Sequence, residues 1–534
     1  MRVLLMSGLG PAELHETYLE GSLFQPSFDE RATEMLRRAG LADLSLDRFA
    51  FEQSGNRYAL LRPAPQSMPH LTTVTLQSIL EASGHDYDTL ALEDVWMGSA
   101  VVPSGDFDLV LLSTTFIWNP HILAQAIRWI TENMPGTGII TGGQYTNLKY
   151  IAAMRQQPAI VAVIRGDGER ALPMTLDAMA GGGHLGDIPN LVWREGNKIR
   201  TNPIAYIDID EFPSPSVLGT SSIVPYESMR GCPFDCKFCS FPAASPKWRY
   251  KSAEKIRDDW SAYAAANGAD MISAMDSTFT IPPTRLRQLL EILPQAETPA
   301  WEGFSRANTI NSRKVVDQLS AARCRRLYIG FESMNDVTLK RMSKRVSAKQ
   351  NRRAAELLAD SDVAYSIFFI VGYPGESAEM AADTLDYLVD EFVGHFYVNK
   401  FSVTDENMPL WDDREELRIV ASDPTDAEAP WSHIGMDSTE AAKLQGEMLD
   451  RVRAHSETAV MHAWQDEFQH WLLPRRDRRT NIAVEKSVER LGMAPLDYAD
   501  LDEGAHAMRT QIDRLRGLGI ELAASAQELR REAI

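Results

Sequence analysis

Short apolar runs alternate with amphipathic stretches along the first ~190 residues, the pattern of an open parallel sheet with helical crossovers. Val3 to Met6 predicts a first buried strand, followed by the turn Ser7-Gly8-Leu9-Gly10-Pro11. Residues 12–65 interrupt the alternation and read as an insertion with helical character. The pattern resumes with a helix over Leu71 to Ser83, closed by Gly84, and a helix over His121 to Asn133. Further strands are predicted at Tyr87 to Leu92, Phe107 to Ser113, Gly138 to Gly143 and Ile160 to Ile164. Open parallel sheets bind ligands beyond the carboxyl ends of their strands, which is where Gly8, Ser113, Gly142 and Gly168 fall.

Proline and serine concentrate at Phe212-Pro213-Ser214-Pro215-Ser216, within a predicted linker at 191–220. Beyond it, strand and helix patterns alternate again over 221–405, as in a parallel barrel or partial barrel. Its first strand is Ser222 to Tyr226, and later strands run into Met275-Asp276-Ser277, Phe304-Ser305-Arg306, Gly330-Phe331-Glu332-Ser333 and Gly372-Tyr373-Pro374-Gly375-Glu376. Residues 406–534 turn helical and aromatic, with Trp411, Trp431, Trp464 and Trp471 beside His433, His462 and His470, and are expected to close the barrel mouth. The expected fold class is α/β: a Rossmann-like domain at 1–190, a partial (β/α)6 TIM barrel and a mainly helical C-terminal region.

At 534 residues the chain exceeds what one core supports. Its 44% hydrophobic and 24% charged content is that of an ordinary soluble protein. No apolar run approaches the ~20 residues that span a bilayer, so no membrane partner and a cytoplasmic location are expected. A net charge of -20 argues against nucleic acid as partner, the run Arg475-Arg476-Asp477-Arg478-Arg479 being a local exception.

The chemistry concentrates in three of the chain's four cysteines, Cys232, Cys236 and Cys239, spaced C-x3-C-x2-C. Thiolates this close repel one another and oxidise unless a cationic group binds them, which points to soft-metal ligation. Both a four-iron cluster and structural zinc take four ligands, and the loop offers three. Either Cys324 supplies the fourth, giving a closed structural site, or one iron is left open for a ligand from outside the protein. On spacing alone a zinc knuckle is the alternative.

With Phe238 just before Cys239, the loop resembles that of the radical S-adenosylmethionine (SAM) superfamily. There the amino acid end of SAM chelates the open iron of a [4Fe-4S] cluster, and one electron cleaves the sulfonium to a 5'-deoxyadenosyl radical. The resemblance implies SAM-binding roles for Phe238, for Asp276 and Ser277 near the SAM amino group, for Arg306 at its carboxylate, for Glu332 and Ser333, and for Gly372 and Pro374 near adenine.

The order of parts in the first domain is similar to the cobalamin-binding domain that precedes many radical SAM cores. It implies cobalamin contacts from Ser7, Gly8 and Leu9, from Ser113, Thr114 and Thr115, from Gly142, Gly143, Gln144 and Tyr145, and from Gly166, Gly168 and Glu169. The D-x-H-x-x-G turn of methionine-synthase-like domains is replaced by Ser7-Gly8-Leu9-Gly10-Pro11. A base-off corrinoid without a histidine ligand is therefore expected, with Ser67, Met68 and His70 as lower-face candidates. Methylases that use a methyl-cysteine need two cysteines beyond the cluster ligands, and this chain has only Cys324.

The resemblance implies a cobalamin-dependent methyltransferase acting on an unactivated carbon of a small molecule or peptide natural-product intermediate, with a reductant such as flavodoxin or ferredoxin. A non-methylating rearrangement or cyclisation with the same cofactors is the alternative within enzymes. A non-catalytic iron-sulfur and corrinoid electron-transfer or sensor protein is the alternative of another class.

Overall fold

The computed structural model describes residues 1–9, 26–41, 68–217, 219–427, 429–461 and 477–519. Gly10, Pro11, most of the insertion, Ser67, Trp464, Trp471, His462, His470, Arg475 and Arg476 lie outside the described residues.

The first sheet has seven strands: β1 Arg2–Ser7, β2 Asp86–Ala91, β3 Leu109–Ser113, β4 Gly138–Gly142, β5 Ile160–Ile164, β6 Leu191–Glu195 and β7 Lys198–Thr201, in the order β2-β1-β3-β4-β5-β6-β7. The first five strands pair in parallel, as the apolar runs predicted, and β6 and β7 close the edge as an antiparallel hairpin. The sheet therefore continues to Thr201, into the segment expected to be linker. Only Leu191 and Val192 of β6 are buried, so the run of apolar positions is too short to stand out in sequence. Val3 and Leu5 of β1 pack on one face, Leu4 and Met6 on the other, the double burial that makes a parallel strand apolar throughout. Strand order reverses between β1 and β3, creating the crevice at their carboxyl ends.

The second sheet is built on β8 Ile223–Tyr226, followed by the paired β9 Met229–Arg230 and β10 Arg249–Tyr250, then β11 Met271–Ala274, β12 Ala300–Ser305, β13 Cys324–Glu332, β14 Ala364–Val371 and β15 Gly394–Lys400. Helices alternate with these strands, and Ser252, Ser312, Ser347 and Ser377 start four of them by accepting a backbone N–H of the first turn. A two-stranded pair, β16 Val420–Ala421 and β17 Trp431–Ser432, follows. The C-terminal region, expected to be mainly helical, then contributes β18 Ala459–Met461 as a seventh parallel strand against β15. The helix Pro26–Arg38 leaves the first domain and packs through Met35 and Leu36 in one cluster with Leu491, Met508 and Ile512 of the helices Arg478–Asp497 and Leu501–Gly517. Among the described residues no helix is long and apolar enough to cross a membrane.

Candidate active site between the two sheets

A cavity of about 740 Å³ opens where the carboxyl ends of the first sheet face the start of the barrel. Leu9, Ser113, Thr115, Gly142, Gly143 and Gln144 line it from three strand ends, with Gly166, Gly168 and Glu169 from a fourth and Met68 and His70 from the helix start at Leu71. Met229, Arg230, Met275 and Ser277 line it from the barrel. Gly143 sits at φ +113, and a Cβ there would stand 2.7 Å from the Thr115 amide nitrogen, so only glycine fits this approach.

Four of the expected residues support this wall from behind. Buried Ser7 accepts a hydrogen bond from Thr73 Oγ1 at 2.9 Å. Gly8 backs onto Glu93, whose carboxylate a Cβ would meet at 2.0 Å. Thr114 donates to the Gly142 carbonyl at 2.9 Å and pairs with Thr146 at 2.9 Å. Burial pushes the Tyr145 hydroxyl up to about 12. His70 reaches the wall itself, with Nε2 3.1 Å from Glu93 Oε1 and its ring edge-on to Phe116.

An ionic clasp, not foreseen from sequence, ties this wall to the cysteine loop. Arg230, one residue before Gly231-Cys232, reaches Asp167 at 3.0 Å, Glu169 at 2.5 Å and Glu227 at 2.8 Å. Arg249 adds a 2.5 Å contact to Asp167. Burial opposes ionisation of Asp167, and the Arg249 hydrogen bond and Arg230 charge outweigh it, holding the carboxyl below its usual range. A second pair crosses between domains where Lys149 meets Asp405 at 2.9 Å and Glu406 at 3.2 Å. A lone arginine before a Gly-Cys pair carries no sequence signal for Asp167 and Glu169, because both come from the first domain.

The cysteine loop is pinned at its middle. The Lys237 amide donates to the Met342 carbonyl at 2.9 Å, its carbonyl accepts from Leu410 at 3.1 Å, and its ammonium meets Asp413 at 2.5 Å. Cys236 is buried, Cys232 and Cys239 half-buried. Burial pushes the Cys239 thiol up to about 11, and the neighbouring thiols add to it. Cys232 is likewise raised, first by burial. Among the described residues no three such groups stand close enough to grip a single ion. A four-iron cluster spreads its thiolate ligands over separate irons, and its positive core would relieve thiolates held this way, so the donor set fits one.

Phe238, Arg306 and Glu332 meet at this loop. Arg306 donates to Cys236 Sγ at 3.8 Å, lies 3.9 Å over the Phe234 ring and donates to the Lys344 carbonyl. The Lys344 ammonium sits 2.5 Å from Glu332 Oε1 and 5.5 Å from the Phe238 ring. Lys344 was missed in the sequence, although it lies between Ser343 and Arg345, two non-glycine residues at positive φ, as is Glu332. Such strain persists where surrounding structure enforces it, often at functional sites.

The other expected SAM contacts are bound into the scaffold. Asp276 is buried and accepts from the Ser228 amide at 2.8 Å, the Met229 amide at 2.9 Å and the Ser228 hydroxyl, fixing the bend before the cysteine loop. Ser277 faces the cavity and donates to the Gly231 carbonyl at 3.4 Å. Ser333 is buried and accepts from the Asn335 amide at 3.1 Å. Gly372 donates to Glu376 Oε2 at 2.7 Å and its carbonyl meets His433 Nε2 at 3.1 Å, while His433 Nδ1 accepts from Gly375 at 3.2 Å and Gly435 at 2.9 Å. The turn containing buried Pro374 is thus braced from outside by the Trp431 to Met436 segment. Cys324 opens β13 at its amino end, a nine-residue strand, and so lies on the order of 27 Å from the end facing the cysteine loop. It cannot supply the fourth ligand.

The sequence pattern of the radical SAM superfamily matches residues 226–388. An uncharacterized methyltransferase of Pyrococcus horikoshii is 28% identical over 302 residues, 54% of this chain and 65% of its own. An anaerobic magnesium-protoporphyrin IX monomethyl ester cyclase of Synechocystis sp. is 22% identical over 45% of this chain and 51% of its own. The matched stretch therefore spans less than two thirds of either relative. The cobalamin-dependent SAM radical enzyme OxsB, solved with aqua-cobalamin and SAM, has a similar fold, with a TM-score of 0.59 at 15% identity over 99% of this chain and 82% of its own. So does the radical SAM methyltransferase TsrM of Kitasatospora setae, solved with cobalamin and a [4Fe-4S] cluster, with a TM-score of 0.58 at 13% identity over 97% of this chain and 99% of its own. The cysteine loop at a barrel mouth lies within the matched core, so residues 226–388 form a radical SAM domain, and the two-sheet architecture is similar to that of OxsB and TsrM.

Proposed function

We propose that the chain is a cobalamin-dependent radical SAM methyltransferase that methylates an unactivated carbon of a small-molecule or peptide natural-product intermediate. The observation that carries this reading is the single cavity lined by both the strand-end loops of the first sheet and the barrel residues flanking the cysteine loop. Cys232, Cys236 and Cys239 would hold the cluster, Arg306, Glu332 and Ser277 would stand nearest SAM, and the loops at Ser113, Gly142 and Gly168 would receive the corrinoid. Bound there, the cluster and a flavodoxin- or ferredoxin-like reductant supply one electron to SAM, and the corrinoid supplies a methyl group to the substrate carbon.

The chain's own part is placement. The Arg306 N–H on Cys236 stabilises negative charge on that sulfur. The Arg230 clasp fixes the cysteine loop against the corrinoid-facing wall, and His433 fixes the Gly372–Gly375 turn. Solved relatives of similar fold support the cofactor set, and a methyltransferase relative supports the reaction. The test is anaerobic incubation with SAM, reductant and candidate substrates. The reading expects a product heavier by one methyl group, with 5'-deoxyadenosine and S-adenosylhomocysteine. The cyclase relative favours a second reading, which expects 5'-deoxyadenosine and no added methyl. Neither nucleoside with any substrate would leave the electron-transfer or sensor alternative.

A further inference from the structure

The inward faces of β12 to β15 carry a row of rings that the proposed cofactor sites do not use. Outward side chains on these strands, such as Trp301, Leu327, Ile367 and Val398, are fully buried beneath the helices. The inward ones are less buried: Phe304 is 38% exposed, and Tyr328, Phe368 and Tyr397 are half-buried. A closed barrel has the reverse pattern, its interior filled by branched side chains, so the lumen is open at this level. Ring centroids are 5.2 Å apart for Phe304 and Tyr328, 6.2 Å for Tyr328 and Phe368, and 6.3 Å for Phe368 and Tyr397. Four neighbouring strands therefore present one continuous aromatic crescent. Met275, 45% exposed at the end of β11, connects it to the interdomain cavity.

The layer below is polar and closed. Buried Glu302 accepts from Ser273 at 2.8 Å and from the Tyr328 hydroxyl at 3.2 Å, and buried Arg326 donates to that hydroxyl at 3.1 Å. Beneath, His395 meets Glu485 of the helix Arg478–Asp497 at 2.7 Å, so this helix seals the amino end of the barrel. A blind lumen admits a small molecule or the end of a larger one, not a threaded chain. Its wall at the crescent is uncharged, and ring faces with a thioether beside them, at the end of β11 next to β12, favour flat π-systems over saturated groups of equal size.

We propose that the crescent binds a planar, uncharged aromatic ring system of the substrate, its face against Phe304, Tyr328, Phe368 and Tyr397 and its reacting edge toward Met275. The proposal rests on the methyltransferase reading for its reaction but not for its test. Cluster-loaded protein without SAM or reductant is equilibrated with 2-naphthol and, separately, with its saturated counterpart decahydro-2-naphthol. The planar probe is expected to bind about tenfold more tightly. Phe304→Leu and Phe368→Leu are each expected to weaken it roughly fivefold, leaving the saturated probe and the cluster absorbance unchanged, whereas Tyr328→Phe, which keeps the ring, retains planar binding. Equal binding of both probes, binding of neither, or leucine variants that bind 2-naphthol like the parent overturn the proposal. Because no turnover is involved, failure of methyl transfer with intact probe binding rejects only the reaction.

Discussion

Arg230→Met removes the guanidinium that joins three carboxylates from both domains while keeping most of the side-chain stem. Asp167 keeps Arg249 at 2.5 Å, whereas Glu169 and Glu227 lose their 2.5 Å and 2.8 Å contacts. Breaking a buried pair by removing one partner costs about 3 kcal/mol or more. At about 1.4 kcal/mol per tenfold, local opening around the cysteine loop becomes roughly a hundredfold more frequent. Hydrogen exchange of peptides covering residues 226–240 reads this opening. The Arg230→Met protein should exchange there about a hundredfold faster than the parent at pH 8, with peptides of the helix Ala348–Ala359 unchanged. A ratio below about threefold refutes the clasp.

Glu376 is almost fully buried and burial pushes its carboxyl up to about 7. A raised folded value means that the folded state holds the proton as pH climbs past the unfolded value of about 4.5, so stability should fall between pH 5 and 7 by an amount on the order of 3 kcal/mol. Thermal unfolding of Glu376→Gln should lose this dependence and exceed the parent at pH 8. Serine at Cys232, Cys236 or Cys239 should abolish the visible iron-sulfur absorbance after reconstitution, while Cys324→Ala should retain it. His433→Ala removes three hydrogen bonds to the Gly372–Gly375 turn and its neighbour. Two of them hold the turn itself, and at roughly 1 kcal/mol each their loss should speed exchange at that turn about thirtyfold.

What was legible in the sequence followed from local pattern. Four of the five parallel strands of the first sheet announced themselves because burial on both faces makes them largely apolar, and β8, β11, β12, β13 and β14 of the barrel because each is a short apolar run leading into a polar turn. The cysteine loop was legible from its spacing together with Phe238 before Cys239. What was not legible depends on distant partners. The β6–β7 hairpin is mostly exposed, and β18 is three residues long. Arg230, Arg249 and Lys149 gain their cross-domain partners only from carboxylates far away in sequence, and Lys344 gains its partner only through the fold that returns it to Glu332. Asp276 was expected at SAM for its place after β11, yet its carboxylate is taken up by the backbone of Ser228 and Met229, a commitment that strand position alone does not reveal.

The central claim is that one interdomain cavity receives a corrinoid opposite the cluster. Cobalt content measures it most directly, in protein reconstituted anaerobically with iron, sulfide and hydroxocobalamin and then freed of unbound corrinoid. The account predicts stoichiometric cobalt alongside the cluster and its loss in Gly143→Ala, whose Cβ would meet the Thr115 amide at 2.7 Å. Protein that carries its cluster and retains no cobalt would contradict it.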